Sequence, residues 1–266
     1  MSAVRTRISR NLEQIRRQIA EACRRAGRDQ RGVGIVAITK SADLEAIKAA
    51  VEIGLTDLGE SRVQQLVERA GEVTDWLHRR SKSVESRIAN HEGQADRATA
   101  ADSQLTTPNS ELVRWHMVGH LQRNKVRQVL DVSRMIHSVD SLRLAEEIGE
   151  AAEKAGSTVD IMLQVNCSQE PQKFGCAVGA APHLAELIAT MRNIRLVGLM
   201  TMAPLVKDPQ QARPAFALLR EMFEELRHDH VGGEAFKHLS MGMSNDYPIA
   251  VEEGATVLRI GTALFQ

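Results

Sequence analysis

The sequence predicts an α/β fold: a single-domain (β/α)8 barrel of the TIM-barrel class with an extra N-terminal helix. Three observations carry this. Strand-like and helix-like segments alternate along the chain, which implies a parallel sheet. Eight such units can be counted, the number that closes a barrel. The length of 266 residues suits a barrel, which commonly runs to roughly 250 residues as one domain. An open doubly wound sheet is the competing arrangement.

The elements follow in order. Val4, Ile8, Leu12, Ile15, Ile19 and Ala22 recur at helical spacing over 4–26, and Gly27 sits where a helix stops. VGIVAIT (33–39) reads as a strand before helical DLEAIKAAVEIG (43–54), and TDLG (56–59) precedes SRVQQLVERAG (61–71). WHMVG (115–119) precedes QRNKVRQVL (122–130), MIHSV (135–139) precedes SLRLAEEIGEAAEKAG (141–156), and TVDIMLQVN (158–166) precedes PHLAELIATM (182–191). IRLVGLMT (194–201) precedes PQQARPAFALLREMFEELRHD (209–229), FKHLSMG (236–242) precedes NDYPIAVEEG (245–254), and TVLRIG (256–261) closes the series. The eighth helix is missing or truncated, and the N-terminal helix is expected to cover the surface this leaves bare. Residues 75–110 are polar with little periodicity and read as a mobile insertion on the barrel rim.

Composition excludes several classes. Hydrophobic content of 43% and charge of 26% are ordinary for a soluble globular protein. Zero formal net charge and 3% aromatic residues give no case for nucleic acid or an anionic membrane. The Arg-rich face of the first helix (Arg5, Arg16, Arg17, Arg24, Arg25, Arg28) reads as a solvated surface. No stretch approaches the roughly 18 apolar residues of a membrane span, and the N-terminus lacks the apolar core of a secretory signal. Cys23, Cys167 and Cys176 are odd in number without CxxC spacing, as expected for free thiols in a reducing cytoplasm. A cytoplasmic monomer is the expectation.

In a barrel, chemistry belongs at the C-terminal ends of the strands. Lys40 ends the first strand there. The chain has eight lysines among its 34 basic residues, so an amine at this place stands out: it can lose its proton and form a Schiff base, which Arg cannot. LSMGMSND (239–246) and RIGTALF (259–265) end strands seven and eight. Barrels often bind phosphate there, through backbone N–H groups at a helix start, with Gly allowing close approach and Ser or Thr adding a hydroxyl. Ser244, Gly261 and Thr262 supply that set. An amine and a phosphate cup in one mouth suggest a phosphorylated aldehyde, and pyridoxal 5′-phosphate (PLP) is the common cofactor that fits. Arg259 shares its side of strand eight with Gly261 by period-two alternation, so it is the candidate partner for the pyridine nitrogen. A metal-dependent hydrolase is a weaker reading: His116 and His120 are four apart but lie on a strand and its following loop, where helical i,i+4 geometry does not apply, and His228 and His230 are two apart at a charged helix end; no metal is expected.

VAITK, DLGESRVQQL, WHMVGHLQRNK, IHSVDS, QVNCSQEPQKFG, GLMTMAP and LSMGMSNDYPIAVEEGATVLRIGTALF run in order across nearly the whole chain outside 75–110. In these segments the sequence closely resembles the YggS/PROSC family, the pyridoxal phosphate homeostasis proteins. The resemblance implies a barrel like the N-terminal domain of alanine racemase. By it Lys40 matches the lysine that carries PLP as a covalent aldimine. Ser244, Gly261 and Thr262 match the phosphate binders, Arg259 the residue facing the pyridine nitrogen, and Met241 and Gly242 the strand-seven wall. Two positions depart from the family: Ala42 stands where a second lysine is frequent, and Ser61 where Asn is usual near the cofactor.

The resemblance implies PLP buffering or delivery to PLP-dependent apoenzymes, without catalytic turnover. A physical reason agrees. Arg has no acceptor lone pair, so Arg259 would keep the pyridine nitrogen unprotonated and the ring a poorer electron sink. The racemase also uses a second domain whose tyrosine is the opposing acid/base. This sequence ends five residues after Gly261, and its one tyrosine, Tyr247, belongs to the strand-seven loop. An amino-acid racemase-like PLP enzyme is the alternative.

Overall fold

The computed structural model describes residues 2–89 and 113–266. Eight strands close into one parallel barrel in sequence order: β1 (Gly34–Ile38), β2 (Asp57–Glu60), β3 (Arg114–Met117), β4 (Ser133–Val139), β5 (Val159–Gln164), β6 (Ile194–Met200), β7 (His238–Ser240) and β8 (Val257–Ile260). Closure is made by β8 pairing with β1, where Val36 lies opposite Arg259. The open-sheet alternative is thereby excluded.

Nine helices occur among the described residues: α1 (Ala3–Arg25), α2 (Leu44–Glu52), α3 (Val63–Ala89), α4 (Val126–Leu130), α5 (Leu142–Lys154), α6 (Ala181–Ala189), α7 (Arg213–His228), α8 (Tyr247–Glu252) and α9 (Thr262–Phe265). As the spacing predicts, α1 buries Ile8, Leu12, Ile15 and Ile19 in one stripe. Each such side chain taken fully from water contributes about 1.5–3 kcal/mol. The last helix is a single turn, and α1 covers it: Asn11 Nδ2 donates to the carbonyls of Leu264 (3.0 Å) and Gln266 (3.1 Å).

One boundary needs correction. The third helix does not stop near Gly71 but continues to Ala89, so residues 75–89 of the polar segment are helical. Val63, Leu66, Ala70, Val73 and Leu77 are all buried, and this apolar stripe carries the helix through Gly71. The rest of the segment expected as an insertion, 90–110, lies outside the described residues.

Inside the barrel the filling is uneven. Val36, Ile38 and Val118 make one apolar group, and Met162, Val197 and Met200 another. A polar column formed by His116, His137, Ser240 and Arg259 is buried with them. No described helix is long and apolar enough to cross a membrane.

Candidate functional site

Lys40 sits two residues beyond β1, exposed on the strand-end rim. The turn that presents it is fixed from below. Thr39 is fully buried; its N–H donates to Gly59 O (3.0 Å) and its hydroxyl to Glu60 Oε1 (2.6 Å). The Ala42 N–H closes back on Thr39 O at 2.8 Å, which returns Ala42 to the core and leaves Lys40 and Ser41 outside. Glu60, also fully buried, takes the Arg69 guanidinium from α3, and Arg69 bonds the carbonyls of Thr39 and of Ala42 (3.1 Å). Among the described residues Lys40 has no ion pair of its own, so the fixed turn presents its amine at the rim without a counter-charge.

The loops after β7 and β8 meet this rim. Gly242 has φ +90°, and a Cβ there would lie 2.6 Å from Ala250 Cβ, so the position admits only glycine without strain. Its carbonyl accepts the Arg259 N–H at 3.0 Å. Ser244 Oγ accepts the Ala263 N–H (3.1 Å) in the turn of α9, whose N-cap is Gly261 and whose first residue is Thr262. Gly261 lies against the end of β1: a Cβ on it would be 3.2 Å from Ile38 O. Lys40, Ser244, Gly261 and Thr262 therefore share one sector of the rim. Ser61 belongs to it too, half-buried after β2, with its N–H on Glu60 Oε2 (3.2 Å). Met241 does not. Alternation along β7 turns Ser240 inward, and Met241 is fully buried in the core between barrel and helices.

Arg259 is 4% exposed inside the barrel. Its guanidinium donates to Ser240 Oγ (2.7 Å) and Thr201 O (2.8 Å), two of the five donors an arginine has. Burial pushes its pKa down to about 10, with Asp246 opposing the shift. A buried cation held by neutral oxygens retains capacity for an acceptor lone pair on a ligand.

The polar column behind Arg259 is what the sequence reading missed. Ser240 Oγ is 2.8 Å from His137 Nδ1, His137 Nε2 is 2.9 Å from His116 Nδ1, and His116 Nε2 is 2.9 Å from Asp57 Oδ1. Burial holds His137 well below the ordinary histidine value, helped by His116, Arg259 and His238. Burial raises the Asp57 carboxyl, but hydrogen bonds from His116 and Arg114 outweigh it and leave the pKa below its usual value. The available signal was period two: WHM and IHS each place a histidine between two outward-facing neighbours.

Other candidates fall away from the rim or from one another. Tyr247 donates its hydroxyl to Gln18 on α1, away from the mouth. His116 points into the barrel, whereas His120 stacks on Phe174 at 4.1 Å and sits 3.5 Å from Asp140. Among the described residues no group of three or more His, Cys, Asp or Glu is arranged to hold a metal ion. Burial pushes the Cys167 and Cys176 thiols up to about 11 and about 12, too high for reactive thiolates. At the other end of the barrel the strand starts surround a cavity of about 1010 Å³, lined in part by Asp57, His116, Asp160 and His238.

Residues 10–266 match the family described as alanine racemase, N-terminal domain. The chain belongs to that family. Among curated relatives it is 33% identical over 259 residues to the pyridoxal phosphate homeostasis protein of Aquifex aeolicus, covering 97% of this chain and 96% of the relative. A crystal structure of an unknown protein from Bifidobacterium adolescentis superposes with TM-score 0.81 at 34% identity, over 100% of this chain and 97% of the other. PipY of Synechococcus elongatus, solved with PLP bound, superposes at 0.71 with 29% identity, over 93% and 100%. The family thus includes barrels of the same extent as this one.

Proposed function

We propose that this protein binds PLP and serves PLP homeostasis, holding the cofactor covalently through the Lys40 amine and releasing it to PLP-dependent apoenzymes rather than turning over a substrate. The observation that carries this is one uncompensated lysine on the same rim sector as the Ser244–Gly261–Thr262 cup, with Arg259 buried in the barrel beneath. The donor set fits the group: hydroxyls and backbone N–H for a phosphate, a primary amine for an aldehyde, and an arginine for a ring nitrogen. When bound, PLP supplies an aldehyde that condenses reversibly with an amine and a ring that withdraws electrons.

The chain's own residues do the rest. The Glu60–Arg69–Thr39 clamp orients the Lys40 turn, and Gly242 and Gly261 let backbone approach the ligand. Arg259 donates, has no lone pair to accept with, and so keeps its partner nitrogen without a proton. Ser61 and Gly242 would line the ligand, while Met241 would support Gly242 from the core side. Tyr247, turned to α1, is not available as an opposing acid. That observation favours a carrier over a racemase, as does the name of the Aquifex aeolicus relative.

To test this, PLP is added to the apoprotein, the absorption spectrum recorded, and the adduct reduced with borohydride and mapped by mass. Wild type should acquire an absorption band and a stable adduct at Lys40, and Lys40→Ala neither. Equal spectra would overturn the assignment. Amino-acid racemisation at roughly 1 per second or faster would decide for the enzyme instead.

A further inference from the structure

The column from Arg259 to Asp57 crosses the barrel from beneath the proposed cofactor rim to the cavity at the strand starts. Its two ends are chemically one-way. Arg259 can only donate, and the ionised Asp57 can only accept. Between them stand a hydroxyl and two imidazoles, each able to donate once and accept once when neutral.

These constraints fix every proton. Asp57 requires the proton of His116 on Nε2 (2.9 Å). With His116 neutral, its Nδ1 accepts from His137 Nε2–H (2.9 Å). His137 then has a bare Nδ1, which accepts the Ser240 hydroxyl proton (2.8 Å), and the Ser240 oxygen accepts from Arg259 (2.7 Å). Each link of the column then pairs one donor with one acceptor.

Adding one proton to His116 reverses the middle of the chain. Both its nitrogens now donate, so His137 Nε2 must accept, and the single His137 proton moves to Nδ1. That N–H then faces Ser240 Oγ, which already accepts from Arg259. The Ser240 proton loses its partner and Arg259 shares its acceptor with a second donor. Burial disfavours charging His137 as an alternative way out.

The geometry points to His116 and His137 as positioning residues that set the hydrogen bonding of Arg259 according to whether His116, at the opposite end of the barrel, carries a second proton. The other charged groups packed on the pair are Arg114, bidentate on Asp57, and His238 with Lys237 and Asp160 beside it; on the Arg259 side the nearest is Asp246. His116 is reachable from solvent because it and Asp57 line the strand-start cavity. A ligand held by Arg259 would thus respond to proton activity at a face it does not touch. This consequence rests on the PLP reading; the tautomer switch does not.

The first measurement is made without cofactor. Nitrogen-15 histidine spectra of the apoprotein are followed from pH 9 to 5, with assignments from His137→Gln and His116→Gln. His137 should carry its proton on Nε2 at the high-pH end of that range and on Nδ1 at the low-pH end. In Asp57→Asn the midpoint should fall, because the anion that favours protonated His116 is gone. A His137 tautomer unchanged across the range, or a midpoint indifferent to Asp57→Asn, overturns the proposal. The second measurement follows the band of PLP-loaded protein over the same range. Wild type should show a spectral step at the tautomer midpoint that His116→Gln lacks; a step retained in that variant overturns the link to Arg259. A band missing from wild type at every pH would count against the PLP reading instead, leaving the tautomer result to stand by itself.

Discussion

At the strand-start end of the barrel, Asp57 and Asp160 each face an arginine directly across the next strand, Arg114 and Arg195. Both pairs are bidentate, at 2.8 and 2.7 Å and at 2.6 and 2.9 Å. At the strand-end rim, Lys40 has no ion pair among the described residues, and Arg259 beneath it is held by a hydroxyl and a carbonyl alone. The two strand-start arginines complete their charges across neighbouring strands, whereas Lys40 and Arg259 have no ion pair among the described residues. The difference leaves Lys40 and Arg259 with donor capacity that the strand-start arginines have used. Glu60, fully buried at the same end, is spent on positioning: it ties Arg69 and Thr39 beneath the lysine turn.

That contrast predicts unequal costs, the greatest at the clamp. Glu60→Gln leaves the Arg69 guanidinium without its counter-charge at a site where Glu60 is fully buried and the Arg69 side chain is 16% exposed. Removing one partner of a buried pair costs about 3–5 kcal/mol. Chemical denaturation should show a stability loss of about 3 kcal/mol, and PLP binding should weaken as the Lys40 turn loosens. A loss below about 1 kcal/mol would mean that the clamp is no stronger than the surface pairs.

The rim and the fold were legible in the sequence to different depths. Lys40, Ser244, Gly261 and Thr262 could be read because each ends a strand, and the strand order tells where strand ends gather. Helix α1 was legible from spacing alone, and the eighth helix, read as missing or truncated, is the single turn α9. The length of α3 was not, because Gly71 interrupts the stripe of Val63, Leu66, Ala70, Val73 and Leu77, and the residues after Leu77 are polar. Met241 was attached to the mouth by resemblance, whereas alternation from Ser240 turns its side chain into the core. The clamp and the histidine column were illegible for another reason. Residues 39, 60 and 69, or 57, 116, 137, 240 and 259, meet only when the barrel closes, and nothing local in their segments encodes the partner.

A middle-sized effect belongs to the column joining the two ends. His137 has a folded pKa below its unfolded value of about 6.5, so above that pH it adds no penalty. As pH falls from there towards the folded value, the unfolded chain binds a proton that the folded one refuses, and stability drops. The slope is at most about 1.4 kcal/mol per pH unit. His137→Leu should flatten the stability profile below about pH 6.5 relative to wild type. Parallel profiles would show that the column lets His137 charge in the folded state, contrary to its burial.

The smallest effect is expected at the strand-start face. The Arg195 side chain is 56% exposed and that of Asp160 22% exposed, so water and salt screen their attraction, and pairs of this kind contribute about 0.2–1 kcal/mol. Arg195→Ala should lower stability by less than about 1 kcal/mol, and by less still in 1 M salt, where the screening length is about 3 Å. It should leave the PLP band in place, since Arg195 lies at the opposite end from Lys40. A cost equal to that of Glu60→Gln would erase the distinction between the two ends. A lost band would place the strand-start pairs among the groups that hold the ligand, and the rim could no longer be treated as the end at which binding is decided.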